Sequence, residues 1–205
     1  MQKQPVQIII IDDDPHMGTR PIFVKLCQAY GKENVIWKEN PNDGLTYVKE
    51  HLTRRTIIIL DYDFGGKVNC IDLFQELQGV SSLLYFIVST AKQIEDIPRK
   101  DLKAFINNHL MALGDKTDGY HATLKQVEKA IDYLNSRVDC ILEEWILRHE
   151  RFKRETPYMT VDGTAYSLED ILNEIRKDTA FGKKMTSNII STAITMMQRD
   201  IDKIK

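Results

Sequence analysis

The chain has few cysteines, little net charge and no long apolar run, and each shortage removes a class of protein. Cys27, Cys70 and Cys140 are the only thiols in 205 residues, too few and too scattered for a disulfide framework or a thiolate metal cluster. They read as reduced thiols, which predicts a cytoplasmic protein. The formal net charge is −2, so the overall field favours neither nucleic acid nor an anionic membrane as a partner. The opening stretch MQKQPVQIIIIDDD holds only four consecutive apolar residues, against the roughly 20 that a spanning helix needs. It reads as neither a signal peptide nor a membrane segment. What is present in quantity is ordinary for a soluble protein: 42% apolar residues, enough for a core, and 28% charged.

The order of those residues is more informative. VQIIII, NVIW, TIIIL, LLYFIV and LMALG are five short runs rich in β-branched and apolar residues, as expected for strands covered on both faces. Between them lie stretches with helical spacing, among them RPIFVKLCQAYG (Ile22, Leu26, Ala29), NPNDGLTYVKEHL, CIDLFQELQG and RKDLKAFINNH. A fifth helix is expected to begin near His121. Strict alternation predicts an α/β fold with a doubly wound five-stranded parallel sheet, because each crossover must be right-handed and covered by a helix. Ligands of such sheets bind beyond the carboxyl ends of the strands, near the switch in strand order.

From His121 the pattern changes to all-α. Leu124, Val127, Ile131, Leu134, Val138, Ile141 and Trp145 step by three and four, which reads as one heptad stripe on a continuous helix over 121–152. Ser167 and Asp170 form a capping-box pattern at the start of SLEDILNEIRKD. Ile190, Ile194, Met197, Ile201 and Ile204 make a second stripe. TPYMTVDGTAY reads as an irregular link between the helical stretches.

Residues placed just after the strands carry the chemistry. The first strand is followed by Asp12, Asp13 and Asp14, the third ends on Asp61 with Asp63 two positions on, the fourth ends Ser89-Thr90-Ala91, and the fifth is followed by Asp115 and Lys116. Carboxylates brought to one sheet edge repel one another unless a cation neutralises them. An all-oxygen set of this kind suits a hard cation such as Mg²⁺. Asp14 alone reads equally well as a turn residue.

IIIIDDDP, IIILDYD and IVSTA resemble the signature segments of the receiver domain of bacterial two-component response regulators, over about residues 6–135. The resemblance implies a CheY-like receiver at 1–136 and a helical output or interaction region at 137–205. It implies that Asp61 is the phosphoacceptor, with Asp12, Asp13, Asp61 and the Asp63 backbone carbonyl holding Mg²⁺. Thr90 and Lys116 are then expected to contact the phosphoryl group. A histidine kinase or phosphotransfer protein is the implied donor, and the chain is not expected to be an enzyme beyond its own phosphorylation and dephosphorylation.

Several positions depart from the family pattern. Gly65 stands where a proline is usual, Asn69-Cys70 replaces an Asp/Asn-Gly pair, Leu113 takes the place of the switch aromatic, and Thr117 follows the lysine in place of proline. The two glycines predict an unusually free loop beside the acceptor.

Four outputs follow from these features. A homodimer through the helix 121–152, or another protein–protein contact of the helical region, is the leading expectation. Leu113 raises the alternative of a receiver-like scaffold that is never phosphorylated. A DNA-binding regulator would use Lys183, Lys184, Thr186, Ser187 and Asn188, but twelve Lys/Arg against twelve Asp/Glu from Arg137 to Lys205 leave no basic stripe. A haloacid dehalogenase-like phosphatase would use Asp61 and Asp63 as its D-x-D pair. That reading has no use for Asp12 and Asp13.

Overall fold

The computed structural model describes residues 6–66, 68–108 and 112–202, with side chains in the last helix as far as Met196. His109, Leu110 and Met111, at the expected junction of the fourth helix and fifth strand, and Ile204 lie outside these residues. The chain divides into two compact units, one ending at Asn135 and the next beginning at Ser136.

The first unit is built on five parallel strands: β1 (Gln7–Ile11), β2 (Val35–Lys38), β3 (Thr56–Asp61), β4 (Tyr85–Thr90) and β5 (Ala112–Asp115). Their order is β2-β1-β3-β4-β5. Four helices supply the crossovers, α1 (Pro21–Tyr30), α2 (Pro41–Glu50), α3 (Cys70–Val80) and α4 (Arg99–Asn107), and α5 (Tyr120–Ser136) follows the last strand. β1, β3 and β4 are buried at every residue, which is why they read as unbroken apolar runs rather than alternating ones. Phe74 of α3 meets Phe86 of β4 and Phe105 of α4 edge to face, at 4.8 and 5.4 Å between ring centroids, a favoured aromatic geometry. Asn40 and Asn69 cap α2 and α3 by accepting from Asn42 N–H and Ile71 N–H. Asn69 therefore has a structural task of its own at the departure from the family pattern.

The second unit contains helices α6 (Val138–Leu147), α7 (Arg151–Glu155), α8 (Leu168–Arg176) and α9 (Ala180–Asp202). The expected capping box opens α8, with Ser167 and Asp170 bonded to each other's backbone N–H. The stretch read as an irregular link is an antiparallel hairpin of β6 (Pro157–Val161) and β7 (Thr164–Ser167). Asp162 and Gly163 both have positive φ, 50° and 81°, the Asp-Gly turn that matches the twist of a two-residue hairpin. Arg176 of α8 and Glu143 of α6 form a buried ion pair at 2.8 Å.

Residues 121–152 are not one helix. Arg137 is extended (φ −81°, ψ 128°) between α5 and α6, and its guanidinium bonds Asp139. Residues 148–150 separate α6 from α7. The heptad stripe is therefore two faces. Val127 and Leu134 are buried on α5, whereas Val138, Ile141 and Trp145 are exposed on α6. A dimer through a continuous 121–152 helix has no such helix to use.

Gly182 marks the tightest approach in the second unit, since a Cβ there would sit 2.4 Å from the Glu174 carbonyl oxygen. Gly182→Ala is expected to destabilise this unit by roughly 1–3 kcal/mol in urea unfolding. Gly79→Ala, in α3 with nothing within 4 Å of the added carbon, should instead stabilise by about 0.5–1 kcal/mol. Equal effects at the two positions would contradict this packing.

Candidate functional site

Strand register assembles the acidic cluster. Ile11 pairs with Leu60 across β1 and β3, so the next residue of each chain segment, Asp12 and Asp61, lie side by side. Both are buried, at 4% and 6% exposure. β1 is also the point where strand order reverses, with β2 on one side and β3 on the other, so the pair stands where such sheets bind ligands. Asp13 joins them: one carboxylate oxygen from each of Asp12, Asp13 and Asp61 lies within 4.8 Å of the others. Asp14 does not join the cluster. It accepts from His16 N–H and pairs with Arg20, as a turn residue.

Lys116 reaches back from the end of β5 to this cluster. Its Nζ lies 2.9 Å from Asp12 Oδ2 and 2.9 Å from Asp61 Oδ1. Its position depends on a short turn in which Asp115 Oδ1 accepts from both the backbone N–H and the hydroxyl of Thr117. A proline at 117 would have neither donor. Burial and the neighbouring Asp12 charge push the Asp61 carboxyl up to about 6, with Lys116 pulling the other way. Burial works against the Lys116 charge, but Asp61 and Asp12 outweigh it and raise its pKa.

Thr90 ends β4, almost wholly buried, and its Oγ1 accepts from Lys92 N–H at 2.9 Å. The hydroxyl proton is left free to donate elsewhere. Lys92 itself was not legible as a site residue. Its ammonium pairs with Asp63 at 2.9 Å and stands over the Tyr62 ring at 5.2 Å. The Asp63 side chain thus turns away from the cluster to Lys92, which holds its carboxyl below the usual carboxylate range. Tyr62 donates to Asp101 Oδ2 of α4 at 2.7 Å, and burial together with that bond raises its pKa. Only the position of Lys92, two residues after the strand end, hinted at this group.

Several described residues of the loop after the acceptor strand make contacts that its glycines do not suggest. Gly65 and Gly66 have φ of 60° and 77°, a left-handed conformation that glycine adopts without strain. Gly65 N–H donates to Asp63 Oδ1, Asp63 bridges Asn69, and Phe64 is buried in the core. Leu113 is half-buried and packs against the same core. A cavity of about 500 Å³ opens beside the cluster, lined by Asp12, Met17, Arg20, Ser89, Lys116 and Tyr120 among others.

The donor set fits a small divalent cation. Three carboxylates supply oxygen only, with one oxygen of each within 4.8 Å of the others, the donor type a hard divalent cation prefers. A group whose pKa is about 6 in the folded chain and 3.8 in its absence of structure favours folding fully below pH 3.8, and that contribution is lost as pH rises through 6. Asp61→Asn is therefore expected to raise stability at pH 7 by up to about 3 kcal/mol and to change it little at pH 4. Adding Mg²⁺ should narrow the gap at pH 7 by stabilising the native carboxylate. Denaturant unfolding at the two pH values reads this directly, and a pH-independent difference would contradict it.

No family model matches the chain, and no curated protein matches it. Solved structures do. The response regulator receiver domain protein (CheY-like) from Methanospirillum hungatei JF-1 is 14% identical, with a TM-score of 0.52 over 62% of this chain and 94% of that one. A signal receiver domain from Vibrio parahaemolyticus is 13% identical, with a TM-score of 0.52 over 71% and 98%. The N-terminal domain of a Wolinella succinogenes protein is 16% identical, with a TM-score of 0.50 over 62% and 95%. At these identities the likeness concerns fold alone. The chain carries a CheY-like receiver fold, with a clustered aspartate triad at the carboxyl edge of its sheet and a helical region after it.

Proposed function

We propose that the chain is a response regulator that accepts a phosphoryl group on Asp61, with Mg²⁺, and signals through protein contact or dimerisation of its helical region. The observation that carries this reading is the bridge from Lys116 to the two buried carboxylates of Asp12 and Asp61, 2.9 Å on each side, set at the switch in strand order. With its pKa near 6, Asp61 is ionised at neutral pH and can act as a nucleophile. One of its oxygens attacks the phosphorus of a phosphohistidine on a histidine kinase or phosphotransfer protein. The O–P bond forms as the P–N bond breaks, and the imidazole leaves with the electron pair.

Catalysis of such a transfer is positioning plus charge neutralisation. Asp12, Asp13, Asp61 and the Asp63 backbone carbonyl would hold Mg²⁺, which supplies positive charge to the phosphoryl oxygens when bound. Lys116 is placed to follow the charge from Asp61 to the new phosphate. The Thr90 hydroxyl donates its free proton to a phosphoryl oxygen. Reduced thiols at all three cysteines agree with a cytoplasmic setting, and no helix among the described residues is long and apolar enough to cross a membrane.

Two alternatives meet specific observations. A D-x-D phosphatase needs Asp63 as a proton donor, but Lys92 favours its ionised form. A scaffold that is never phosphorylated draws support from Leu113, which leaves no aromatic at the usual switch position. Incubation with Mg²⁺ and acetyl phosphate separates the three. The wild-type chain should gain one acid-labile phosphoryl group by mass, Asp61→Asn none, and Asp63→Asn nearly as much as wild type. Lys116→Ala should label roughly 10²-fold more slowly. No gain under saturating donor favours the scaffold, and continuous release of phosphate that stops in Asp63→Asn favours the phosphatase.

A further inference from the structure

The residue between Asp61 and Asp63 faces away from the acidic cluster. The N–H of Tyr62 donates to the Ser89 carbonyl at 3.0 Å and so carries the β3–β4 ladder one residue further. Successive residues of a strand project to opposite faces of the sheet. Asp61 accordingly turns to Lys116, and Tyr62 turns to α4. Three contacts fix its ring there. The hydroxyl donates to Asp101 Oδ2 at 2.7 Å, the ring meets Phe105 at 6.3 Å between centroids, and the Lys92 ammonium stands over it at 5.2 Å. Phe105 is part of the buried core.

These contacts differ in what they can hold. The side chains of the Lys92–Asp63 pair are 46% and 53% exposed, so solvent screens that pair and it contributes little alone. The Tyr62–Asp101 bond joins two half-buried side chains, and 2.7 Å is the length of a strong hydroxyl–carboxylate bond. It crosses 39 residues of sequence, from the acceptor strand to the first turn of α4. Thr90 joins the same group, because its Oγ1 accepts from Lys92 N–H. The two strand ends beside the cluster and α4 therefore share one set of side chains. The ring alone would fill the space against Phe105, and it is the hydroxyl that fixes α4 against the strand end.

We propose that Tyr62 is a positioning residue for the cation site, with Asp101 as its anchor on α4. This role rests on the magnesium half of the proposed function. Two of the groups that would hold Mg²⁺, the Asp61 carboxylate and the Asp63 carbonyl, belong to the direct chain neighbours of Tyr62. With the ring pinned, the peptide units on either side of it cannot turn independently, and the two oxygens keep a fixed spacing. Groups behind the ligands of a metal set its affinity in this way. Coupling between two places is reciprocal, so occupation of the cluster also tightens the Tyr62–Asp101 bond and steadies α4. The state of the cluster is thereby read on a helix that supplies no ligand to it.

Calorimetric titration of the full chain with Mg²⁺, in the absence of any phosphodonor, tests this role. Asp101→Ala and Tyr62→Phe should each weaken binding by roughly tenfold. The double variant should lose no more than either single one, since both changes remove the same bond. Asp101→Asn keeps an oxygen that can accept from Tyr62 and should bind within about twofold of wild type. Lys103→Ala, exposed on the same helix, should bind as wild type does. Saturating Mg²⁺ should slow amide exchange over Arg99–Asn107 in the wild-type chain and leave it unchanged in Tyr62→Phe. A side chain that only fills space would move neither reading. Binding unaffected by Asp101→Ala and Tyr62→Phe, additive losses in the double variant, or α4 exchange indifferent to Mg²⁺ in the wild type would overturn the positioning role and leave the acceptor reading standing. No uptake of Mg²⁺ by the wild type would overturn both.

Discussion

The contact on which the first unit's chemistry depends is the reach of one ammonium group across a sheet edge. Lys116 Nζ touches Asp12 and Asp61 at 2.9 Å each, and without it two buried carboxylates on neighbouring strands would face each other alone. Much of the surrounding structure can be understood as support for that reach. The β1–β3 register brings the two acids together, and β5, one strand beyond β3 across β4, carries the lysine at its end. The Asp115–Thr117 turn then aims the lysine back over the edge. Burial of the two carboxylates strengthens the contact, while the lysine itself stays open to solvent.

Legibility in the sequence followed burial closely. β1, β3 and β4 were readable because covered strands leave unbroken apolar runs, and the acidic cluster was readable because its carboxylates stand where the runs of β1 and β3 end. Lys92 was not: a long side chain in a loop finds Asp63 and Tyr62 through folding, and no spacing announces it. The glycines at 65 and 66 suggested a loose loop, since composition does not reveal the Asp63–Asn69 bridge or the buried Phe64 that pin it.

In the second unit local signals and tertiary structure diverge. Asn135-Ser136-Arg137-Val138 holds no proline or glycine, and the three-four spacing continues through it, so periodicity alone predicts one helix. The break is made by Arg137 adopting an extended backbone and bonding Asp139 two residues on, a local arrangement that periodicity does not register. The hairpin was legible in principle, because Asp162-Gly163 between short β-prone runs is a strong turn signal. The buried Glu143–Arg176 pair was not, since partners 33 residues apart leave no mark on local pattern.

The acidic cluster also has an electrical consequence. Three carboxyl groups, those of Asp12, Asp13 and Asp61, meet one ammonium, that of Lys116, at the sheet edge. The cluster is thus an all-oxygen donor set with a single counter-charge beside it, the arrangement a hard cation would complete.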